Sequence, residues 1–139
     1  MQLTRRPLAP EEIDHELVWL FVSLGTAAAL AIWLWARLPM PRCIFHSLTG
    51  VPCLTCGATR AARQFFHGHF GASFLFNPLA FTTYCGSALF DIYATAVLLT
   101  GASRLRLRDV SPREKLVLRS LVLVLLAANW VYLITAHIV

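Results

Sequence analysis

The chain has 139 residues, of which 58% are hydrophobic and only 14% are charged, and its formal net charge is +5 at pH 7. The length predicts one compact domain, and the composition lies outside the range of soluble domains and points to the lipid bilayer. The positive charge does not indicate nucleic acid, because the arginines flank apolar runs instead of lining one polar face.

Residues 1–16 form a polar N-terminal segment, and residues 17–139 are predicted to be a single integral membrane domain. Arg5 and Arg6 precede a group of acidic residues, namely Glu11, Glu12, Asp14 and Glu16. Pro10 followed by these acids resembles a helix start, since carboxylates are favoured at the positive end of the helix dipole.

The first predicted span covers residues 17–36, which carry no charge. At about 1.5 Å per residue this run can cross a hydrocarbon core of about 30 Å. A cleaved signal peptide is the alternative interpretation. The run is too long for one, the acidic residues separate it from the two arginines, and no A-x-A-like cleavage site follows, so we expect a transmembrane helix.

Residues 37–77 form a long connection that contains three of the four cysteines and no Asp or Glu. Cys53 and Cys56 form a C-x-x-C, and Cys43 and His46 repeat the offset as C-x-x-H. Together they have the residue types of a Cys3His zinc site, although the two pairs stand closer than in common zinc fingers. The alternatives are a structural disulfide with a spare thiol, a redox-active dithiol, or small residues packed in a loop.

The glycines and prolines of this connection predict its turns. Gly50 and Pro52 favour a turn before Cys53, and Gly57 favours a tight turn after Cys56. Thr59 is predicted to cap a helix that starts at Arg60 and ends at Gly68. The polar residues of that helix share one face, so we expect it to lie in the membrane interface or to re-enter the membrane; they are Arg60, Arg63, Gln64 and His67.

The pattern T-G-x-P-C-x-x-C-G-x-T-R-A at residues 49–61 resembles the signature of a family of small bacterial multi-pass membrane proteins of unknown function. The upstream Cys43, the N-P-L at residues 77–79 and the N-W at residues 129–130 are also similar to that family. The resemblance covers residues 37–136, and it departs from the family at Ile44 and Leu54, where proline is usual. It implies a multi-pass membrane protein and no known activity.

The second predicted span covers residues 79–101, with Asn77 as its cap and Pro78 at its first position. Asp91 falls near its middle, where a charged carboxylate is costly. Asp91 is therefore expected to be a neutral hydrogen-bonded group, a partner of a loop arginine, or a group that handles protons or a ligand. The candidate partners are Arg60, Arg63 and Asn129.

The third predicted span covers residues 116–136 and follows a basic connector over residues 102–115. Ser111 before Pro112, with Glu114 three residues after Ser111, is typical of a helix start. Asn129 lies deep in this span and is expected to hydrogen-bond to a neighbouring helix. The fold class is therefore all-α, with three transmembrane helices and a partly helical cysteine connection between the first and second.

Three spans place the N-terminus and the second connector on one side of the membrane, with eight basic residues, namely Arg5, Arg6, Arg104, Arg106, Arg108, Arg113, Lys115 and Arg119. The other side has four, namely Arg37, Arg42, Arg60 and Arg63. The positive-inside rule then predicts a bacterial inner-membrane protein with a cytoplasmic N-terminus and an extracytoplasmic cysteine connection and C-terminus. That compartment is oxidising and favours a disulfide over free thiols.

Two classes of function fit these patterns. The first is a non-enzymatic accessory or binding module, with the bilayer and another membrane protein as partners and no nucleic acid. The second is a membrane thiol-disulfide oxidoreductase using Cys53 and Cys56, with Cys43 as a shuttle, whose low thiol pKa would come from Arg60, Arg63 and a helix N-terminus. The first class is favoured because no quinone-site or thioredoxin-like pattern accompanies the C-x-x-C. In either class the thiols of Cys43, Cys53 and Cys56 are expected to meet at one site, with zinc as the candidate cofactor.

Overall fold

The computed structural model describes residues 2–6, 13–39, 43–108 and 111–136, with the backbone alone for residues 2–6 and 104–108. These residues form six helices and one two-stranded ribbon. In chain order they are β1 (Gln2–Arg6), α1 (His15–Trp35), α2 (Ile44–Thr49), α3 (Ala58–Phe66), α4 (Phe70–Phe76), α5 (Pro78–Thr100), β2 (Arg104–Arg108) and α6 (Pro112–Thr135). The predicted helical fold class is confirmed, while the ribbon was not predicted.

Side-chain caps explain where the three long helices begin. The Asp14 carboxylate accepts a hydrogen bond from the Leu17 backbone N–H at 3.2 Å, so α1 begins at His15, and the start predicted at Pro10 lies outside the described residues. The Asn77 side chain caps α5, with Pro78 at its first position. Ser111 and Glu114 form a reciprocal capping box at the start of α6.

Two of the helices, α1 and α6, are long and apolar enough to cross a membrane, with mean hydropathies of 2.1 and 2.0 in their most apolar stretches. Only 0% and 11% of those stretches is buried, unlike the core helix of a soluble domain. Helix α5 has 23 residues but is not among the helices that meet this criterion, so the second predicted span, at residues 79–101, is not confirmed. The two apolar helices are compatible with a membrane location.

Most of the other helices pack around α5. Helix α1 and helix α6 both contact α5, and the short helices α3 and α4 pack on each other and on α5. The aromatic ring of Phe65 lies against the rings of Phe70, Phe81 and Tyr84 at this end. The buried hydroxyl of Ser73 donates to the Ala61 carbonyl at 2.7 Å. Part of the core therefore lies where the cysteine connection folds back onto the long helices, and the buried Ala94 and Val97 extend it along α5.

The ribbon joins two segments that are far apart in sequence. Strands β1 and β2 pair antiparallel, with Gln2 opposite Arg108 and Arg6 opposite Arg104. This pairing brings the N-terminal segment next to the connector between α5 and α6. The alternation of Arg and Leu over residues 104–108 is the two-residue period of a strand, and it is the signal that could have predicted β2.

The cysteine connection differs from its prediction in two respects. Helix α3 begins at Ala58 with Gly57 as its N-cap, at φ 80°, so Thr59 lies inside the first turn and is not the cap. A left-handed φ suits glycine, which lets the chain enter the helix two residues earlier. Helices α2 and α4 were not predicted, and they lie before and after α3 within the connection, with Gly50 ending α2 at φ 71°.

Candidate functional site

Three cysteine thiols lie together at the N-terminal end of α3. The Cys53 Sγ is 3.3 Å from the Cys43 Sγ and 3.5 Å from the Cys56 Sγ. The three sulfur atoms all lie within 4.8 Å of one another. Cys43 is the N-cap of α2, while Cys53 and Cys56 border the turn between α2 and α3, so two turns of chain bring the sulfurs together.

His46, the fourth predicted ligand, does not belong to this cluster. Its backbone N–H, not its ring, points at the Cys43 Sγ, at 3.5 Å, because Cys43 caps the first turn of α2. The ring Nδ1 is buried and has no hydrogen-bond partner among the described residues. The structure thus brings together the three predicted thiol ligands without the imidazole.

The Asn77 side chain supports the cysteine turn from the start of α5. Its Nδ2 donates to the Leu54 carbonyl at 3.2 Å and to the Cys56 carbonyl at 3.0 Å. Its Oδ1 accepts from the Ala80 backbone N–H at 2.9 Å. With 1% of its surface exposed, Asn77 joins the helix cap to the turn in one buried network.

Helix α6 holds the same turn from the other side. The Asn129 Nδ2 donates to the Leu54 carbonyl at 3.3 Å, and its Oδ1 accepts from the Leu79 backbone N–H at 3.1 Å. The Trp130 Nε1 donates to the Pro52 carbonyl at 2.9 Å. Asn129 therefore does contact a neighbouring helix, as expected, and also reaches the cysteine turn.

The contacts follow a regular pattern along the turn. A fourth donor residue is Tyr84, whose hydroxyl donates to the Ala58 carbonyl at 3.0 Å. The carbonyls that accept from α5 and α6 are thus those of alternate residues, namely Pro52, Leu54, Cys56 and Ala58. Because these helices hold the backbone, the C-x-x-C is fixed by the fold and not only by its own sequence. We call this set of contacts the carbonyl clamp.

The two thiols of the C-x-x-C have different acidities. Burial acts to raise the pKa of Cys53, but hydrogen bonds involving Thr55, Cys43 and Cys56 outweigh it and lower the pKa from 9.0 to about 7. Burial raises the pKa of Cys56 to about 11. Cys53 is therefore the thiol that ionises first and the better nucleophile at neutral pH.

The predicted arginines do not produce this asymmetry. The Arg60 guanidinium lies over the Phe76 ring, 5.8 Å from its centroid, as a cation-π contact. Neither Arg60 nor Arg63 is among the causes of the lowered Cys53 pKa, which comes from neighbouring hydroxyl and thiol groups. The prediction of an arginine-activated thiol was therefore wrong.

The predicted partners of Asp91 were also wrong. The Ser23 hydroxyl of α1 donates to the Asp91 Oδ2 at 2.8 Å, and the buried Oδ1 has no partner among the described residues.

Sequence reasoning missed Ser23, Tyr84 and Trp130. A phenol or an indole in an apolar helix carries one polar group that needs a partner, and this signal could have found the last two.

Comparison with known proteins adds the following. Residues 43–90 match the model of a family described as Protein of unknown function (DUF2752). No curated protein and no solved structure matches the chain. The matched residues include the three clustered cysteines, Asn77 and the first half of α5. The resemblance to a family of unknown function, which was predicted over residues 37–136, is therefore confirmed over residues 43–90.

Proposed function

We propose that the chain is a small three-span membrane protein of the bacterial inner membrane. The apolar side chains of α1 and α6 face outward along their length, which suits hydrocarbon and not water. Helix α5, which corresponds to the second predicted span, also crosses the membrane in this proposal. Its Asp91 receives a hydrogen bond from Ser23 of α1, and such pairing between helices is how spans accommodate a polar group at bilayer depth.

The proposed topology has a cytoplasmic N-terminus and an extracytoplasmic cysteine site. The pairing of β1 with β2 supports it, because it joins the N-terminal segment to the α5–α6 connector on one side. The excess of basic residues in these two segments supports a cytoplasmic location. A C-terminal tag should be labelled in intact cells while an N-terminal tag is not; the reverse pattern would overturn the topology.

For the function itself, we propose a non-enzymatic binding module that holds a thiophilic metal ion such as Zn²⁺ through three thiolates. The convergence of the Cys43, Cys53 and Cys56 sulfurs carries this proposal. A zinc–sulfur bond of about 2.3 Å in tetrahedral geometry places sulfurs about 3.8 Å apart. The two observed sulfur–sulfur distances of 3.3 and 3.5 Å are slightly shorter than this value, and all three sulfurs lie within 4.8 Å of one another.

The carbonyl clamp supports metal binding by fixing the turn in advance. Because Asn77, Asn129 and Trp130 hold the backbone, little ordering of the chain is needed when the thiolates meet a metal. Three thiolates leave one tetrahedral position for a further ligand. A neighbouring membrane protein or a small ligand could supply it, which suits an accessory module.

The test is metal content together with thiol count in the purified, reduced protein. We expect one zinc per chain and protection of three thiols from alkylation until chelator is added. Replacing Cys43, Cys53 or Cys56 with Ser should weaken zinc binding more than the roughly 10–100-fold typical of an outer-shell change. Cys85→Ser, in α5 and outside the cluster, is the matched control and should bind normally. Full alkylation of all four thiols in the presence of zinc would refute the proposal.

A second candidate is thiol-disulfide exchange, favoured by the position of the Cys53 sulfur within 3.5 Å of both other sulfurs. The Cys53 thiolate would attack a substrate disulfide, and Cys43 or Cys56 would displace the reduced substrate and leave a disulfide in this protein. In metal-free protein, Cys53 alkylation should have a midpoint near pH 7, because protonation below the lowered pKa removes the thiolate. A midpoint near 9 would argue against this candidate.

A further inference from the structure

A second feature of the cysteine end lies apart from the thiols. A cleft of about 660 Å³ opens between the C-terminal end of α1 and the C-terminal end of α3. Leu34, Trp35 and Phe66 contribute an apolar wall, while Arg37, Arg63 and His67 contribute polar groups. A site with an apolar wall and two guanidinium groups suits a ligand that has both an anionic group and a hydrocarbon part.

The charge of this cleft is uncompensated. Arg37 and Arg63 are exposed, and no side-chain hydrogen bond or ion pair joins either to another described residue. No acidic residue lines the cleft, and residues 37–77 contain no Asp or Glu at all. Guanidinium groups bind phosphate oxygens in a planar, two-pronged geometry, so the missing partner is best supplied by a phosphate.

The end of α1 places Arg37 beside the cleft. Arg37 has φ 50°, and it is the non-glycine residue with positive φ among the described residues. The Arg37 N–H donates to the Leu34 carbonyl and the Leu38 N–H donates to the Trp33 carbonyl, which is the usual pattern of hydrogen bonds where a helix ends in a left-handed residue. The termination of α1 thus fixes the backbone of one of the two arginines that line the cleft.

We propose that this cleft binds the headgroup phosphate of an anionic phospholipid, with the lipid's acyl chains against the apolar wall. The inference rests on the proposed membrane location, which puts the end of the α1 span at headgroup depth. The proposal also gives a role to Arg37 and Arg63, which lie on the predicted extracytoplasmic side. The positive-inside rule predicts fewer basic residues on that side.

Native mass spectrometry of the full chain in detergent tests the proposal with phosphatidylglycerol, phosphatidylcholine and inorganic phosphate as separate probes. We expect one phosphatidylglycerol adduct per chain, with little phosphatidylcholine. The variant Arg37→Gln/Arg63→Gln should lose the adduct by roughly tenfold or more. The control Arg113→Gln/Lys115→Gln removes the same charge from exposed positions at the start of α6 and should bind as the wild type does.

The variant Arg37→Lys/Arg63→Lys keeps the charge and loses the planar fork, so it should bind phosphatidylglycerol at an intermediate level. Equal adducts in the wild type and the Gln variant would overturn the proposal. So would binding of inorganic phosphate that displaces the lipid, or a dimer that the Gln variant disrupts without any lipid adduct. Recovery of the wild-type chain in the soluble fraction would instead refute the membrane location itself.

Discussion

The cysteine end and the shafts of the long helices are held by different forces. At the cysteine end, buried or half-buried polar side chains of α5 and α6 donate to the backbone of one turn. Along α6, by contrast, every residue from 115 to 125 is exposed. The cysteine end is therefore specified by the protein's own hydrogen bonds, whereas the shaft of α6 leaves its apolar side chains exposed within the chain.

Because of this difference, the stability of the cysteine site does not depend on what surrounds the shafts. When a substitution removes the donor to a buried carbonyl, water cannot take its place, so the full energetic cost is felt. This cost is the same whatever surrounds the outer faces of the helices. The hydrogen bond from Ser23 to Asp91 is a polar link between the shafts of α1 and α5. Substitutions at the cysteine end should therefore be more costly than comparable substitutions in the shafts.

The largest effect is expected for Asn77→Ala, which removes the α5 cap and two donors to the cysteine turn. Loss of the cap costs about 1 kcal/mol, and the buried Cys56 carbonyl left without a donor costs about 2 kcal/mol more, for about 3 kcal/mol in total. The Leu54 carbonyl keeps Asn129 as a donor. Denaturant unfolding in detergent measures this change. Zinc affinity should fall as well, since the released Cys56 carbonyl belongs to one of the three thiol residues.

The matched control for Asn77 is Ser111→Ala. Ser111 also caps a long helix before a proline, but it is exposed and does not contact the cysteine turn. Its loss should cost about 1 kcal/mol and leave zinc binding unchanged. Equal costs for the two variants would show that Asn77 acts as a cap alone and that the cysteine turn does not depend on it.

The ends of the long helices were predictable because they depend on local chemistry. Asn77 before Pro78, and Ser111 before Pro112 with Glu114, each satisfy backbone N–H groups within three residues, so the sequence shows the whole interaction. Thr59 failed because Gly57, with its left-handed φ, offered an earlier start. Local signals compete, and the sequence does not rank them.

The site was only partly predictable because its contacts are long-range. The C-x-x-C brings two thiols together by itself, and a short loop returns Cys43 to them. The donors from Tyr84, Asn129 and Trp130 depend on how α5 and α6 are rotated about their axes, which single-residue patterns do not specify. The relative rotation of α1 and α5 likewise hides Ser23 as the partner of Asp91. His46 lies outside the cluster for a local reason, since Cys43 caps α2 and receives the His46 backbone N–H.

A smaller effect is expected in the shafts at Asp91. Asp91→Leu should cost about 2 kcal/mol, because it leaves the Ser23 hydroxyl without its acceptor, whereas Asp91→Asn keeps an acceptor and should cost less than about 1 kcal/mol. A double-mutant cycle with Ser23→Ala isolates the pair, and thermal unfolding in detergent measures it. Additive effects of Ser23→Ala and Asp91→Leu would mean that the two side chains do not interact.

The smallest effect is expected for Trp130→Phe, which keeps most of the aromatic surface and removes one donor of the carbonyl clamp. The Pro52 carbonyl accepts from the Trp130 Nε1, and the loss of a single hydrogen bond costs about 1 kcal/mol. Because this bond holds the turn just before Cys53, the variant should also show faster alkylation of the buried Cys56 thiol, through more frequent local opening.

Trp33→Phe is the matched control for this last change. Trp33 lies in α1 and is 40% exposed, against 41% for Trp130, and its indole makes no hydrogen bond to a described residue. Since the two substitutions remove the same atoms at the same exposure, any difference between them measures the hydrogen bond to the turn. Trp33→Phe should change stability by less than about 0.5 kcal/mol and leave Cys56 alkylation unaltered. If both variants accelerated alkylation equally, the cysteine end would be responding to the bundle as a whole, and its separation from the shafts would be wrong.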